Sequence, residues 1–181
     1  MDIVLEYIIK KKNTSKDNAL IIGTILAALI LTQAILTISL KVLNLGTFGF
    51  IVIAAIWFGV YWLLTMRSKE FEYSITNGEL DIDMIIARRK RKHLLSVKTR
   101  QFELCANVHD PAFQQALNEK KPANSIIMAA SEKNAPRTYF VDLIAHDGKP
   151  YRLFFEPTSK MLEAFSKYNP QNVHIYACAE D

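Results

Sequence analysis

The chain has 181 residues, half of them hydrophobic, with 22 Lys and Arg against 18 Asp and Glu. The charges are unevenly distributed, because residues 18–66 contain a single charged side chain, Lys41. This distribution excludes an ordinary soluble domain and predicts a membrane anchor followed by one domain over residues 67–181. The two cysteines, Cys105 and Cys178, have neither CxxC spacing nor a His at ligand spacing, which argues against a disulfide scaffold or a metal site.

The N-terminal segment, residues 1–18, is expected to be cytoplasmic. Met1, Val4, Leu5 and Ile8 have the spacing of one helical face, and Lys10–Lys12 follow them. This pattern favours a short amphipathic helix that lies on the membrane with its lysines at anionic headgroups. A frayed terminus is the alternative, and the sequence does not decide between the two.

Two uncharged stretches, residues 19–40 and 45–66, are predicted transmembrane helices. Each is long enough to cross a hydrocarbon core of about 30 Å. The four residues between them require a tight hairpin with both chain ends on one side. Neither stretch contains Asp, Glu, Lys, Arg or His, which argues against a transporter. Small residues recur in both stretches, and their packing within the hairpin is favoured over an oligomer interface.

The orientation of the hairpin follows from its flanking charges. The N-terminal flank has Lys10–Lys12 and Lys16, the C-terminal flank has Arg67 and Lys69, and the tip has only Lys41. Cytoplasmic flanks carry an excess of Lys and Arg. We therefore expect a multi-pass protein of the cell membrane with both termini in the cytoplasm.

After residue 70 the hydrophobic period changes from helical to two, and two β-hairpins are predicted. Each consists of two alternating runs around a turn pair that tolerates positive φ. The runs are 71–75 and 80–86 around Asn77-Gly78, and 139–143 and 151–155 around Asp147-Gly148. Residues 93–97 and 102–108 are predicted to form one long strand or two short ones. Further strands are predicted at 125–130 and 173–176, with a short helix from Asp110 to Leu117.

One amphipathic helix is predicted after the second hairpin. Thr158 or Ser159 caps it, Met161, Leu162 and Phe165 form its apolar face, and Asn169-Pro170 ends it. The predicted fold class is therefore a membrane α-helical hairpin plus an α+β, mainly β domain. About seven strands form two small antiparallel sheets, a sandwich or barrel, which this C-terminal helix closes.

The order of these elements resembles a family of small bacterial two-helix membrane proteins. The resemblance depends chiefly on TNGELDID, the basic RRKRK segment and FEPTSKMLEAFSKYNP, and it covers most of residues 1–173. The cytoplasmic part of that family resembles a bacterial pleckstrin-homology-like (PH-like) domain. The resemblance implies a fold and a topology. No activity is assigned to that family, so the resemblance implies no functional residues.

The most conspicuous polar feature is the basic run Arg88, Arg89, Lys90, Arg91 and Lys92. Three interpretations remain open for it: a solvated strand–turn–strand tip, contact with the anionic inner leaflet, or a protein or nucleic-acid partner. Each Lys or Arg near an anionic membrane contributes about 1 kcal/mol of binding. Nucleic acid is the least favoured partner, because no aromatic residues alternate with the basic ones.

Nothing in the sequence indicates catalysis. Glu79, Asp81 and Asp83 have the alternation of an exposed strand face. The pairs His109-Asp110 and His146-Asp147 are adjacent, so their side chains diverge on a strand. No catalytic, cofactor-binding or metal-binding residue is predicted. The expected function is a membrane-anchored module without catalysis that binds anionic lipid headgroups or a protein partner. The alternatives are an accessory subunit of a larger membrane complex and an enzyme with an unrecognised site.

Overall fold

The structure is a computed structural model that describes residues 4–41, 46–122, 125–145 and 148–176, without the side chains of residues 41, 46 and 47. The chain forms two compact units. One is Lys12–Ser68, and the other combines Met1–Lys11 with Lys69–Asp181. Residues on both sides of the helices therefore belong to one unit.

The Lys12–Ser68 unit is a pair of helices, α1 (Ser15–Lys41) and α2 (Gly46–Met66). Both are long and apolar enough to cross a membrane. The Asp17 side chain at the start of α1 accepts a hydrogen bond from Thr14 N at 3.1 Å and forms an ion pair with Arg67 beyond α2. The two predicted stretches, 19–40 and 45–66, lie within these helices apart from residue 45. The predicted link falls largely outside the described residues.

Small residues and a polar contact lie where the two helices pack together. A Cβ added to Gly49 would lie 2.5 Å from Ser39 Oγ, so only glycine allows this approach of the helices. Trp57 Nε1 donates to Thr32 Oγ1 at 3.2 Å. Gly23 and Gly59, by contrast, have open space where a Cβ would be. Gly49 is thus needed for packing within the hairpin, whereas Gly23 and Gly59 are not.

Sheet A has four antiparallel strands in the order β1-β2-β3-β4. They are β1 (Val4–Lys10), β2 (Lys69–Thr76), β3 (Glu79–Ile86) and β4 (Lys90–Lys98). All seven residues of β1 pair with β2, from Val4 with Thr76 to Lys10 with Glu70. The amphipathic helix considered for the N-terminal segment is therefore wrong for residues 4–10, and so is the frayed terminus. Tertiary pairing with β2 outweighs the local helical spacing.

The predicted Asn77-Gly78 turn is confirmed. Both residues have positive φ, at 50° and 83°, as a type I′ hairpin requires. A Cβ at Gly78 would lie 2.9 Å from the Tyr168 ring, so glycine is needed here for space as well as for its backbone conformation. Thr99 donates to Gly78 O through its backbone N and its Oγ1, both at 2.8 Å, and fixes the turn.

Sheet B has the order β5-β7-β8-β6. Its strands are β5 (Phe102–Asn107), β6 (Ile126–Met128), β7 (Tyr139–Ile144) and β8 (Pro150–Phe155). The second predicted hairpin is β7–β8, although Asp147 of its turn lies outside the described residues. β6 runs parallel to β8, so this sheet is mixed and not purely antiparallel. Of the predicted last strand, Val173 forms a single bridge with Cys105.

Two helices cover sheet B. A short 3-10 turn (Pro111–Phe113) leads into α3 (Gln114–Asn118), with Asp110 as the predicted cap. The C-terminal helix, α4 (Ser159–Tyr168), is capped by the Thr158 side chain, which accepts from Met161 N. The main core lies between the sheets and α4, where Tyr73, Leu153 and Phe165 are fully buried. A smaller cluster around Phe140 and Phe154 packs under α3.

Candidate functional site

The basic residues Arg88–Lys92, hereafter the basic turn, form the connection from β3 to β4 and the start of β4. All five are exposed. Ala87 and Arg88 have positive φ, at 54° and 55°, and Arg89 N donates to Ile86 O at 3.0 Å. Left-handed backbone costs a residue other than glycine about 1–2 kcal/mol. The strand register on both sides therefore holds this turn in a strained conformation.

Two arginines of the basic turn bind carboxylates on the outer face of sheet A. Arg88 Nε lies 3.3 Å from Glu70 Oε1, and Arg91 Nη2 lies 2.7 Å from Glu72 Oε2. The arginine side chains are 79% and 63% exposed, whereas the glutamates are 15% and 13% exposed. The glutamates therefore offset charge at the base of the turn, while the guanidinium groups remain at the surface.

A β-bulge decides which basic residues share a face. Ile82 pairs with Leu95 and Asp83 pairs with His93, so Leu94 is the extra residue. Beyond the bulge, Arg91 lies opposite Ile85 on the outer face, while Lys90 and Lys92 lie opposite Ile86 and Met84. Met84 packs against the core. The bulge thus directs the two lysines to the core side of the sheet and Arg91 to the other side.

The carboxylates Asp83 and Glu79 of β3 do not pair with Arg88 or Arg91. Asp83 Oδ1 lies 2.9 Å from His93 Nδ1, and Glu79 Oε1 accepts from Ser96 Oγ at 3.1 Å. Sequence reasoning missed Glu70 and Glu72, the residues that pair with Arg88 and Arg91. The only signal for them was their alternation along β2.

The other polar groups singled out in the sequence have separate partners. His109 Nε2 lies 3.1 Å from Asn134 O, whereas the Asp110 side chain accepts from Ala112 N at 3.0 Å. His146 and Asp147 lie outside the described residues. Within the described part of the chain, no group of three His, Cys, Asp or Glu side chains could hold a metal ion.

The buried ion pair of Arg152 with Asp142 was not predicted, and it stabilises the fold. Arg152 is 2% exposed. It binds both carboxylate oxygens of Asp142 at 2.7 Å and donates to Ala116 O and Leu117 O at the end of α3. The sequence signal was weak, because Asp142 and Arg152 are single charges in otherwise apolar strands.

Two buried groups have raised pKa values because burial disfavours their charged forms. Desolvation raises the pKa of the Cys105 thiol to about 12. It also raises the pKa of Tyr73, whose hydroxyl donates to Ala129 O at 2.6 Å and accepts from Glu156 N at 3.2 Å. Cys105 therefore stays a neutral thiol near pH 7, and Tyr73 stays a neutral phenol that ties sheet A to the β6 and β8 regions.

A family model for a bacterial PH-like domain, DUF6106, matches residues 1–175. The chain belongs to the DUF6106 family. The match includes β1 and both apolar helices as well as the two sheets, so these elements are one family unit. The PH-like fold that the sequence resemblance implied is confirmed. No curated protein and no solved structure matches the chain.

Proposed function

We propose that this protein is a membrane-anchored binding module without catalysis. In this proposal α1 and α2 cross the membrane as a hairpin, and the PH-like domain holds the basic turn against anionic lipid headgroups at the cytoplasmic surface. One observation carries the proposal: Lys69, the first residue of β2, pairs with Ile86, the last residue of β3. The basic turn follows Ile86 directly, so it lies at the end of sheet A where β2 begins.

The exposure of α1 and α2 supports their membrane location. In the most apolar 18-residue stretch of each helix, only 6% and 11% of the residues are buried. The core helix of a soluble protein, by contrast, is mostly buried. A cleaved signal sequence is also disfavoured, because β1 precedes α1 and pairs along its whole length with β2. Cleavage after α1 would remove a strand of the folded domain.

The pairing of β1 with β2 supports the expected topology, because it requires the two flanks of the hairpin to lie on the same side of the membrane. The flanking lysines and arginines favour the cytoplasmic side. A reporter enzyme active only outside the cytoplasm should therefore be silent when fused after Asp181 and active when inserted after Val42. The reverse pattern would contradict the orientation.

The connections between the two helices and this end of sheet A are short. Two residues, Arg67 and Ser68, separate Met66 from Lys69 and can span at most about 11 Å. Four residues separate Lys10 from Ser15. Neighbouring strands are about 5 Å apart, so the turn after Ile86 lies close to Lys69. Its basic residues are thus within reach of headgroups.

The proposal is tested with the full-length protein in bilayers. A fluorophore on a cysteine at Ala87 reports contact with quenchers attached to lipid headgroups. Cys178 is replaced by Ser, while buried Cys105 stays unlabelled. We expect stronger quenching in phosphatidylglycerol-containing bilayers than in phosphatidylcholine alone. High salt should weaken it, because the Debye length falls from about 10 Å at 0.1 M to about 3 Å at 1 M.

The control label is placed at Asn77, at the opposite end of β2, about 25 Å along the strand. Its quenching should not depend on lipid charge. Equal quenching of the Ala87 label in both bilayers would contradict the proposed lipid contact. It would favour the interpretation of the basic turn as a solvated tip.

The second candidate function is an accessory subunit of a larger membrane complex. A groove along α1 and α2 is lined by Ala19, Gly23, Ala27 and Val60, and Gly23 has nothing within 4 Å of an added Cβ. Small residues allow another helix to approach closely in lipid. Crosslinking from Gly23 in intact cells separates the candidates, since a stoichiometric polypeptide partner would favour the subunit and lipid alone would favour the binding module.

A further inference from the structure

Four of the five cations of the basic turn fall into two groups with different local environments. On the outer face of sheet A, Arg88 and Arg91 have Glu70 and Glu72 beside them. On the other face, Lys90 and Lys92 extend beyond the core, and Lys69 lies on the same face because it also pairs with Ile86. We call Lys69, Lys90 and Lys92 the lysine row. Among the described residues, no carboxylate forms an ion pair with a lysine of this row.

The lysine row brings like charges together around an apolar residue. Ile86 pairs with Lys69 on one side and with Lys90 on the other, and Lys92 lies two residues along β4 on the same face. Lys11 N also donates to Lys69 O at 3.0 Å, which adds a fourth lysine beside Lys69. Lys69 and Lys90 are two strands apart, about 10 Å, and Lys92 is about 7 Å from Lys90 along β4, so these like charges repel one another within about one Debye length. An external anion would offset this repulsion.

From this arrangement we propose that the lysine row, and not the arginine pairs, is the surface that binds anionic phospholipid headgroups. This inference rests on the proposed function and specifies which residues of the PH-like domain contact the lipid headgroups. The lysines combine uncompensated charge with a central isoleucine, at the sheet end joined to the helices by short connections. Arg88 and Arg91 form internal ion pairs whose net charge is zero, and they hold the strained turn on sheet A.

The test compares two sets of substitutions in the full-length protein that carries the Ala87 label. The first set is Lys69→Gln, Lys90→Gln and Lys92→Gln. Each lysine near an anionic surface contributes about fivefold in affinity. The equilibrium constant for contact with phosphatidylglycerol bilayers should therefore fall about a hundredfold. The matched variant Lys69→Arg, Lys90→Arg and Lys92→Arg keeps the charge and should retain contact.

The second set removes both ion pairs together: Glu70→Gln, Glu72→Gln, Arg88→Gln and Arg91→Gln. The net charge is unchanged, so contact should stay within about threefold of the wild type. A urea midpoint and an Asn77-label signal that match the wild type show that each variant is folded.

The outcome distinguishes the two proposals. A loss in the second set as large as in the first would overturn the lysine assignment while leaving lipid contact standing. If contact of the wild-type protein with the bilayer does not depend on lipid charge, the proposed function itself is contradicted.

Discussion

Replacing Arg152 with leucine should lower the free energy of unfolding of the PH-like domain by about 3–5 kcal/mol. The substitution leaves Asp142 buried without its guanidinium partner, and removing one member of a buried ion pair costs about this much. It also removes the donors to Ala116 O and Leu117 O and the contact of Arg152 with the Phe140 ring, 5.2 Å from its centroid. The measurement is urea unfolding of the full-length protein in mild detergent, followed by pulse proteolysis.

The partner substitution sharpens this prediction. Asp142→Leu alone should also be costly, because Arg152 is left buried and charged. The double variant, with leucine at both positions, should be more stable than either single variant, since apolar residues often replace a buried ion pair at little cost. Glu163→Ala, at an exposed acid on α4, serves as the control and should change stability by less than about 0.5 kcal/mol. A loss below about 1 kcal/mol for Arg152→Leu would mean that the ion pair does not support α3.

Phe165→Ala should lower the free energy of unfolding by a similar amount, about 3–5 kcal/mol, as other truncations of core aromatics do. The ring is fully buried and lies edge-on to Phe102, with centroids 5.5 Å apart, and 6.1 Å from Phe155. It therefore joins α4 to sheet B. The same urea measurement applies, with Lys167→Ala on the exposed side of α4 as the control. A loss near that of the control would mean that α4 does not close the core.

Much of the fold could be predicted from the sequence, because local patterns coincide with the tertiary structure. The Asn77-Gly78 turn between alternating runs predicts the β2–β3 hairpin, and the cap at Thr158 with the apolar residues of α4 predicts that helix. The N-terminal strand could not be predicted in this way. Its residues have helical spacing by coincidence, and its partner β2 follows only after two long helices.

The basic run was recognisable from composition, but the division of its charges was not. In a strand without a bulge, every second residue lies on the same face. Because Leu95 and Val97 lie on the core face, Arg91 and His93 would be expected on that face too. The bulge at Leu94 reverses this assignment, and a single extra residue leaves no signal in the hydrophobic pattern. Glu70 and Glu72 escaped attention because they lie across β3 from the arginines, a proximity that only the register of three strands defines.

The separation of β1 from β2 by the helices has a consequence for biosynthesis. The ribosome completes β1 before it starts α1, yet the partner strand appears only after α2. At about 5–20 residues per second, the interval lasts several seconds, and both helices are made within it. The first strand must therefore remain without its partner until both helices and β2 have been made. In the proposed topology, only a chain with both flanks of the hairpin on one side of the membrane can complete sheet A, so closure of this sheet would report correct insertion.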